Sequence, residues 1–204
     1  MRKNYKNISG TLLAVIMIAL FCSGYIAAGD KGLEKDGKLF MPTGLMIRKA
    51  VEVEASADNA FDAWTSDEGV QSFFAPGSRI ELAIGGDYEL YFDKKAKFGQ
   101  KGSEGCKILS FLPGEMLSFT WNNPPSIPEI RDKHTWVVIF FQSLSEKKSR
   151  ITLVHLGWDA GESWQKALKY FDKAWDLVLG RLQYRFLDGP IDWKKPFTPG
   201  EEKK

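Results

Sequence analysis

The chain has 204 residues, of which 44% are apolar, so it can bury one core of ordinary size and is short for two domains. A basic leader accounts for three of the 28 lysines and arginines and for none of the 26 acidic residues, so the remainder is close to neutral and excludes a surface for nucleic acid or other polyanions. Its two cysteines exclude a disulfide framework and a cysteine-based metal centre.

The first 28 residues have the order of a secretory signal peptide. Three basic residues precede an apolar run over residues 12 to 21, and small residues follow at 27 to 29. Cleavage after Ala28 places Ile26 and Ala28 at the sites that the peptidase reads, and cleavage after Gly29 places Ala27 and Gly29 there. Both cuts are acceptable. The pattern predicts export, so we expect a secreted or periplasmic protein.

Two other interpretations of this segment are less favoured than cleavage of a signal peptide. Residues 8 to 28 approach the roughly 20 apolar residues that span a bilayer, so an uncleaved membrane anchor is the second interpretation, and a membrane contact is expected only in that case. Lipidation of Cys22 is the third, because the bulky Phe21 stands where lipoprotein processing expects a small residue. Cleavage removes Cys22 and leaves Cys106 as a single thiol.

Short elements open the predicted domain. Residues 29 to 44 mix charge and glycine without periodicity, which is typical of a flexible lead-in. Alternating apolar positions over residues 45 to 55 predict a half-buried first strand. Ser56 and Ser66 then predict the caps of two short helices, because a serine hydroxyl accepts a hydrogen bond from a free amide at a helix start.

Six further strands are predicted. Gly85 and Gly86 indicate a tight hairpin turn, since such turns need positive φ, and Pro113 with Gly114 indicates another. The strand over residues 135 to 141 is apolar on both faces, which predicts a central or doubly covered position in the sheet.

A long helix is predicted over residues 164 to 186, where apolar residues recur every three or four positions. Asp159 or Ser163 is expected to cap it, and Gly180 inside it is expected to touch a neighbouring backbone. The apolar stripe needs a sheet as its cover, and a helix across a curved sheet encloses space. From residue 189 the charged, proline-containing tail is expected to run loosely over the surface.

The order of these elements, together with a set of short phrases, resembles one superfamily. Each phrase is weak alone, but their common order over residues 45 to 188 makes the set fairly specific. The phrases are EAS at 54 to 56, FDAWT at 61 to 65, FFAP at 73 to 76, GGDY at 85 to 88, Gly105 with Lys107 and Ile108, Pro113 with Gly114, LSFTW at 117 to 121, ITL at 151 to 153, His155, Gly157 with Trp158, and Trp164. The chain resembles the START-like, or SRPBCC, superfamily, and within it the activator of heat-shock-protein ATPase homologue-like proteins.

The resemblance implies an α+β helix-grip fold over residues 45 to 188. It implies a seven-stranded antiparallel curved sheet, two short helices after the first strand, and a long C-terminal helix across the sheet, with an elongated apolar cavity between helix and sheet. Similar proteins bind lipids, hormones or polyketides, a few catalyse cyclisation or hydrolysis, and the eponymous members stimulate a chaperone ATPase. The family shares no catalytic motif, and export puts chaperone stimulation in doubt, because that ATPase and its nucleotide are cytosolic.

Aromatic side chains are the main functional signal. They outnumber what a small core requires, and rings suit a pocket for a flat or greasy ligand, although a core packed solid with rings is about as common. Tyr88, Tyr91 and Tyr170 are candidate polar groups for such a pocket. The expected ligand-binding residues are Trp64, Phe73, Phe74, Tyr88, Phe119, Trp121, Trp136, His155, Phe171 and Trp175.

His155 and Cys106 are the candidates for chemistry. His155 shares a strand face with Leu153, so it either faces a cavity as a base or donor or is satisfied by a neighbouring carbonyl or hydroxyl, and the second reading is favoured because nothing nearby forms a nucleophile dyad. Cys106 is interpreted as a small packed hydrophobe. No metal or other cofactor is expected, because two distant histidines and scattered carboxylates do not converge.

The sequence therefore predicts an exported START-like domain that binds a hydrophobic small molecule, lipid-like or aromatic, without catalysis. Two alternatives stay open. One is a cyclase or hydrolase-type enzyme that uses His155 with Tyr88 or an acidic residue. The other is a protein-interaction module that uses the outer sheet face or the insertion at residues 122 to 133, which is itself either a lid or a rigid spacer. Ligand identity and oligomeric state are left open.

Overall fold

The computed structural model describes residues 45–195 and Phe197, so the predicted leader and lead-in lie outside the described residues. Within them, seven strands and three α-helices alternate in the predicted order. The elements are β1 Ile47–Val53, α1 Ala57–Thr65, α2 Asp67–Gln71, β2 Gly77–Ile80, β3 Tyr88–Tyr91, β4 Ile108–Leu112, β5 Met116–Asn122, a 3-10 turn Pro128–Ile130, β6 His134–Ser145, β7 Lys148–Leu156 and α3 Glu162–Asp188.

The strands form two antiparallel ladders, one of five strands in the order β1-β7-β6-β5-β4 and one of β2 with β3. Backbone hydrogen bonds join the ladders, with the Tyr88 amide donating to the Cys106 carbonyl at 2.9 Å and the Ser103 amide to the Leu90 carbonyl at 2.9 Å. The predicted helix-grip fold is confirmed, but the predicted single sheet of seven strands is divided into one of five and one of two. The sheet divides because the segment before β4 meets β3 only through isolated bridges.

Both short helices begin where the serine caps predict. The Ser56 hydroxyl accepts a 3.1 Å hydrogen bond from the Asn59 amide, and the Ser66 hydroxyl does the same for the Gly69 amide at 3.1 Å. These bonds satisfy amides that have no partner inside a helix. The Phe61 ring of α1 meets Phe141 of β6 at 5.4 Å, edge to face, so the helix closes one end of the inner sheet face.

The core lies between the inner sheet face and α3. Because side chains alternate along a strand, every second one faces the helix. The helix α3 packs against them with a stripe of apolar residues at helical spacing. Lys49 of β1 reaches from the same face to Asp172 and Asp176 of α3, at 2.9 and 2.8 Å. The buried residues of α3 are Ala167, Phe171, Trp175, Val178, Leu179 and Leu182.

The start of α3 differs from the expectation. Its N-cap is Gly161, at a φ of +117° that favours glycine, so neither Asp159 nor Ser163 caps the helix. The carboxylate of Asp159 instead accepts a hydrogen bond from the Ala160 amide at 2.7 Å. The helix begins at Glu162, before Ser163, which places that residue inside the first turn.

The expected close contact at Gly180 is also wrong, because a Cβ built there meets no atom within 4 Å.

The expectation of a loose tail is wrong as well, at least at its start. Ile191 is buried and its amide donates to the Ser72 carbonyl at 2.9 Å, while the Trp193 indole donates to the Gln71 carbonyl at 2.7 Å. The tail is therefore fixed against the end of α2.

Strand β2 is shorter than the alternation of Ile80, Leu82 and Ile84 predicts. It ends at Ile80, and the exposed Leu82 and Ile84 belong to the connection. Gly85 turns the chain at a φ of +79°, and its amide donates to the Ile108 carbonyl at 2.8 Å. The turn is therefore hydrogen-bonded to β4, and it is not a two-residue hairpin between β2 and β3.

Candidate functional site

A pocket of about 150 Å³ lies between α3 and the sheet, and we call it the ring pocket. Aromatic rings form its walls: Phe74 and Trp121 stack with centroids 5.7 Å apart, and the Trp175 ring lies 5.7 Å from the first and 5.6 Å from the second. Its lining residues are Phe74, Phe92, Trp121, Tyr170, Phe171, Ala174, Trp175, Leu177, Val178 and Arg181.

A smaller hollow of about 50 Å³ adjoins the ring pocket, and we call it the loop hollow. It shares four lining residues with the ring pocket and continues towards residues 122–125 and Arg131. The ring pocket itself runs along α3 from Tyr170 to Arg181, which is about 16 Å at 1.5 Å per residue. The two hollows form one elongated apolar depression.

The ring pocket opens to solvent between the sheet and the helix. Two of its rings stand at the mouth, since Phe92 is 46% exposed and Tyr170 is 49% exposed. The inner wall is closed, because Trp175 is 1% exposed and Phe171 is 5% exposed. These two residues therefore fill most of the space under the helix and leave a shallow remainder that a molecule can enter from outside.

The volume sets the size of an occupant. An apolar cavity of roughly 150 Å³ accommodates benzene, whereas pockets for drug-sized ligands span about 300–1,000 Å³. The ring pocket matches a single ring or a short alkyl chain, and the loop hollow gives room for an extension. A sterol-sized ligand does not fit this conformation.

His155 lies on the inner face of β7, fully buried beneath α3. Its Nδ1 accepts a 3.0 Å hydrogen bond from the Trp175 indole, so the proton of the neutral ring is on Nε2. Nε2 lies 2.7 Å from the Thr135 hydroxyl, which donates to the Trp121 carbonyl at 2.9 Å. Both ring nitrogens are thus used inside the protein.

Burial lowers the pKa of His155 to about 3, because the apolar surroundings disfavour the imidazolium. The Phe171 ring meets the imidazole edge to face at 5.0 Å, and the Trp158 ring lies 4.3 Å away. The side chain has no free lone pair and no access to solvent, so it acts in shaping the wall behind Trp175 and not as a base.

Four of the ten predicted ligand-binding residues line the ring pocket: Phe74, Trp121, Phe171 and Trp175. Four others are packed into the core outside it. The Tyr88 and Phe119 rings stack at 4.0 Å, and Trp64 meets Phe73 at 5.1 Å. The packed residues are Trp64, Phe73, Tyr88 and Phe119.

Trp136 points away from the pocket. Strand β6 buries Thr135 and Val137, and alternation turns the intervening tryptophan to the outer face, where its ring covers Gly157 and is 36% exposed. Phe140 lies on the same outer face, 47% exposed. The apolar character of both faces of β6 hid this orientation from the sequence. The protein-interaction alternative remains a prediction, and this face is one of its two candidate surfaces, beside the insertion at residues 122 to 133.

The three candidate tyrosines have different fates. The Tyr88 hydroxyl donates to the buried Trp64 carbonyl at 2.9 Å, and burial raises its pKa well above the usual value. The Tyr91 hydroxyl bonds to the Glu89 carboxylate at 2.5 Å. Only Tyr170 lies on the lining of the two hollows.

The insertion at residues 122–133 is folded onto the domain. The side-chain Nδ2 of the buried Asn123 donates to the carbonyls of Ile130 and Lys133, both at 3.0 Å. The Arg131 guanidinium donates to the carbonyls of Gly99, Gly102 and Asn123. These bonds fix the segment as one wall of the loop hollow.

The sequence reasoning missed much of the helix side of the ring pocket. After Tyr170, the helix lines the pocket with residues spaced three or four positions apart: Ala174, Leu177 and Arg181. The signal was available as a second helical stripe beside the core stripe. It was hidden because a half-exposed stripe that ends in arginine is typical of a solvent-facing surface.

Cys106 is fully buried in the segment before β4, and burial raises the pKa of its thiol to about 12. A thiol in that state is a poor nucleophile. Among the described residues, no group of three or more histidine, cysteine, aspartate or glutamate side chains is arranged to hold a metal ion.

A helix gripped by an antiparallel sheet, with an apolar pocket between them, defines the START-like, or SRPBCC, class of domain. The sequence pattern of one family of that class, described as "Activator of Hsp90 ATPase homolog 1-like protein", matches residues 54–186, which is more than half of the chain. The chain belongs to this family.

Solved structures agree with the fold at low sequence identity. A protein from Mesorhizobium loti is 15% identical at a TM-score of 0.56, and the match covers 71% of this chain and 97% of that one. The Aha1 dimer from Colwellia psychrerythraea is 14% identical at 0.53, covering 71% and 98%. An HSP90 activator from Plasmodium falciparum is 15% identical at 0.52, covering 72% and 98%.

No curated protein matches the chain in sequence. Among the described residues, no helix combines the length and the apolar character that crossing a membrane requires.

Proposed function

We propose that this domain binds a small hydrophobic molecule, non-covalently, in the ring pocket between the sheet and α3. The observation that carries the proposal is a pocket of about 150 Å³ whose inner wall is built from the rings of Phe74, Trp121 and Trp175 and whose mouth is open. Transfer of apolar ligand surface from water to such a wall is favourable at roughly 25 cal/mol per Å².

The state of His155 supports binding without catalysis. Its two nitrogens are occupied by Trp175 and Thr135, its side chain is buried, and its pKa is lowered to about 3 by burial. A general base needs a lone pair within reach of a substrate proton. The alternative of a cyclase or hydrolase that uses His155 therefore has no geometric support in this arrangement.

Export of the domain is part of the proposal, and it rests on the order of charge, apolar run and small residues over residues 1 to 28. Secretion or residence in a periplasm would place the pocket where it can sequester or carry a small apolar compound. The mass of the protein isolated from the producing cell decides this point, since cleavage leaves a chain that begins at Gly29 or Asp30.

Titration with 3-phenylpropan-1-ol, a single ring with a short chain, tests the binding proposal. We expect a saturable change in tryptophan fluorescence, because Trp121 and Trp175 lie on the pocket wall. Ala174→Phe places a ring in the pocket and should abolish the change, since Ala174 is on the lining of α3.

Gln165→Phe is the matched control, because it adds the same ring at an exposed position of the same helix. It should bind the alcohol as the unmodified protein does. Absence of saturable binding in the unmodified protein, together with no apolar compound released from it by solvent extraction, would overturn the proposal.

A further inference from the structure

Arg181 stands out on the wall of the ring pocket, because it is the one charged residue among the described residues that line it. It lies at the end of the pocket opposite Tyr170, about 16 Å away along α3. The rest of the lining is aromatic, aliphatic or alanine. A cation at one end of an apolar pocket gives that pocket a polar end and an apolar end.

No carboxylate within the described part of the chain compensates the charge of Arg181. Its Nε is buried and meets no hydrogen-bond acceptor there. Burial lowers the pKa of the guanidinium, and no carboxylate of the described residues opposes that shift. A buried donor left without a partner is unfavourable, and more so when it carries charge.

The guanidinium is nevertheless held in place. Its central carbon lies 5.0 Å from the centroid of the Trp193 ring and 5.7 Å from that of Phe197, which are cation–π distances. Trp193 is fixed in turn by its hydrogen bond to the Gln71 carbonyl. Arg181 is thus pre-positioned by the tail, and no carboxylate of the described residues pairs with it.

Arg131, at the loop hollow, differs from Arg181 because its guanidinium is fully hydrogen-bonded. Its Nε and both terminal nitrogens donate to the carbonyls of Gly99, Gly102 and Asn123, and the Glu104 carboxylate lies 3.6 Å away. Its donors are already used for holding loops together. Of the two arginines on the depression, Arg131 has a carboxylate partner and Arg181 has none among the described residues.

We propose that the ring pocket selects small carboxylic acids, with the apolar body among the rings and the carboxylate on Arg181. This inference rests on the proposed function. Two carboxylate oxygens match two neighbouring nitrogens of a planar guanidinium, and such charge-assisted bonds are stronger than neutral ones. The body of the acid then points towards Tyr170, and substituents at its far end extend into the loop hollow.

A matched pair of ligands tests the head-group preference: 3-phenylpropanoate and 3-phenylpropan-1-ol share the ring and the chain and differ in charge. Calorimetric titration of the purified full chain at neutral pH and low salt should show the acid binding at least about tenfold more tightly than the alcohol. The difference should shrink in high salt, because added ions screen the partly exposed pair.

Arg181→Gln should lower the affinity for the acid about tenfold, to that of the alcohol, and leave the affinity for the alcohol unchanged. Arg181→Lys keeps the positive charge but lacks the planar, bidentate guanidinium. Its affinity for the acid should lie between those of the unmodified protein and of Arg181→Gln. Lys169→Gln removes a charge from an exposed position elsewhere on α3 and should change neither affinity.

The outcomes separate this inference from the proposed function. Equal affinity of the unmodified protein for acid and alcohol overturns the carboxylate preference and leaves the apolar binding site standing. Absence of binding by both overturns the binding site itself and the inference with it. If Arg181→Gln fails to fold, the comparison of the two ligands on the unmodified protein still decides.

Discussion

The indole nitrogen of Trp175 donates a 3.0 Å hydrogen bond to Nδ1 of His155, so α3 and β7 are joined by a polar bond inside an apolar core. The bond fixes the histidine tautomer and the orientation of the tryptophan ring that forms the back of the ring pocket. Because both partners are buried, loss of either leaves the other unsatisfied.

This pair predicts that stability falls on mild acidification. In the unfolded chain the imidazole takes up a proton below about pH 6.5, whereas burial lowers the folded pKa to about 3. The unfolded state therefore binds more protons between these values, and the free energy of unfolding should drop by roughly 2 kcal/mol from about pH 6.5 to about pH 5. Urea unfolding followed by tryptophan fluorescence measures it.

The pH window isolates the histidine, because carboxylates such as Asp87, whose pKa is lowered by its hydrogen bond to Lys107, contribute only in stronger acid. His155→Gln should flatten the profile, and His134→Gln, at an exposed histidine, should keep it. A profile of the unmodified protein that is already flat between about pH 6.5 and pH 5 contradicts the assignment.

Gly180→Ala should stabilise the protein by about 0.5–1 kcal/mol. The added Cβ meets no atom within 4 Å, so the gain in helix propensity comes without a clash. Gly69→Ala is the control: its Cβ would lie 2.6 Å from the Ala63 carbonyl oxygen, and the change should destabilise. Thermal unfolding of both variants, compared with the unmodified protein, checks the two signs.

The fold follows from the sequence because its signals are local and periodic. Alternation marked the strands, serine caps marked α1 and α2, and apolar spacing marked α3. The start of α3 escaped prediction because Gly161 caps it through a positive φ, which leaves no side-chain signature. The fixed tail escaped because its bonds go to the distant residues Gln71 and Ser72.

The site was predictable only in part, for a physical reason. Composition identifies rings that are buried, but the difference between a ring that packs and one that lines a pocket depends on neighbours far apart in sequence. Phe73 and Phe74 are adjacent and both fully buried, yet only Phe74 lines the ring pocket. Arg181 gave no signal, since its proposed role depends on the absence of a carboxylate, among the described residues, beside a partly buried guanidinium.

Cys106 should resist alkylation while the protein is folded. Its thiol is fully buried and its pKa is raised to about 12. At about pH 8 the reagent therefore cannot reach the sulfur, and the sulfur is not in the reactive thiolate form. Iodoacetamide should modify it only after unfolding in urea, and mass spectrometry of the peptide that contains residue 106 reads this directly. Rapid modification of the folded protein would show that the segment before β4 opens to solvent.

Arg131→Ala should destabilise the domain by about 2–3 kcal/mol. The guanidinium bonds to three carbonyls from two loops, and the nearby Glu104 carboxylate, only 3% exposed, accepts hydrogen bonds from the amides of Gly99 and Gly102. Removal of the cation leaves the carbonyls without a donor and the buried carboxylate without its counter-charge. Both loops at the loop hollow should loosen.

Two measurements check this change: urea unfolding, and limited trypsin digestion, which should cut after Lys101 and Lys133 faster than in the unmodified protein. Arg150→Ala is the control, since Arg150 pairs with Glu52 on the surface at 2.8 Å and such exposed pairs contribute about 1 kcal/mol or less. If the two variants lose similar stability, the loops are held by packing of the insertion against α3, and the bonds of Arg131 are secondary.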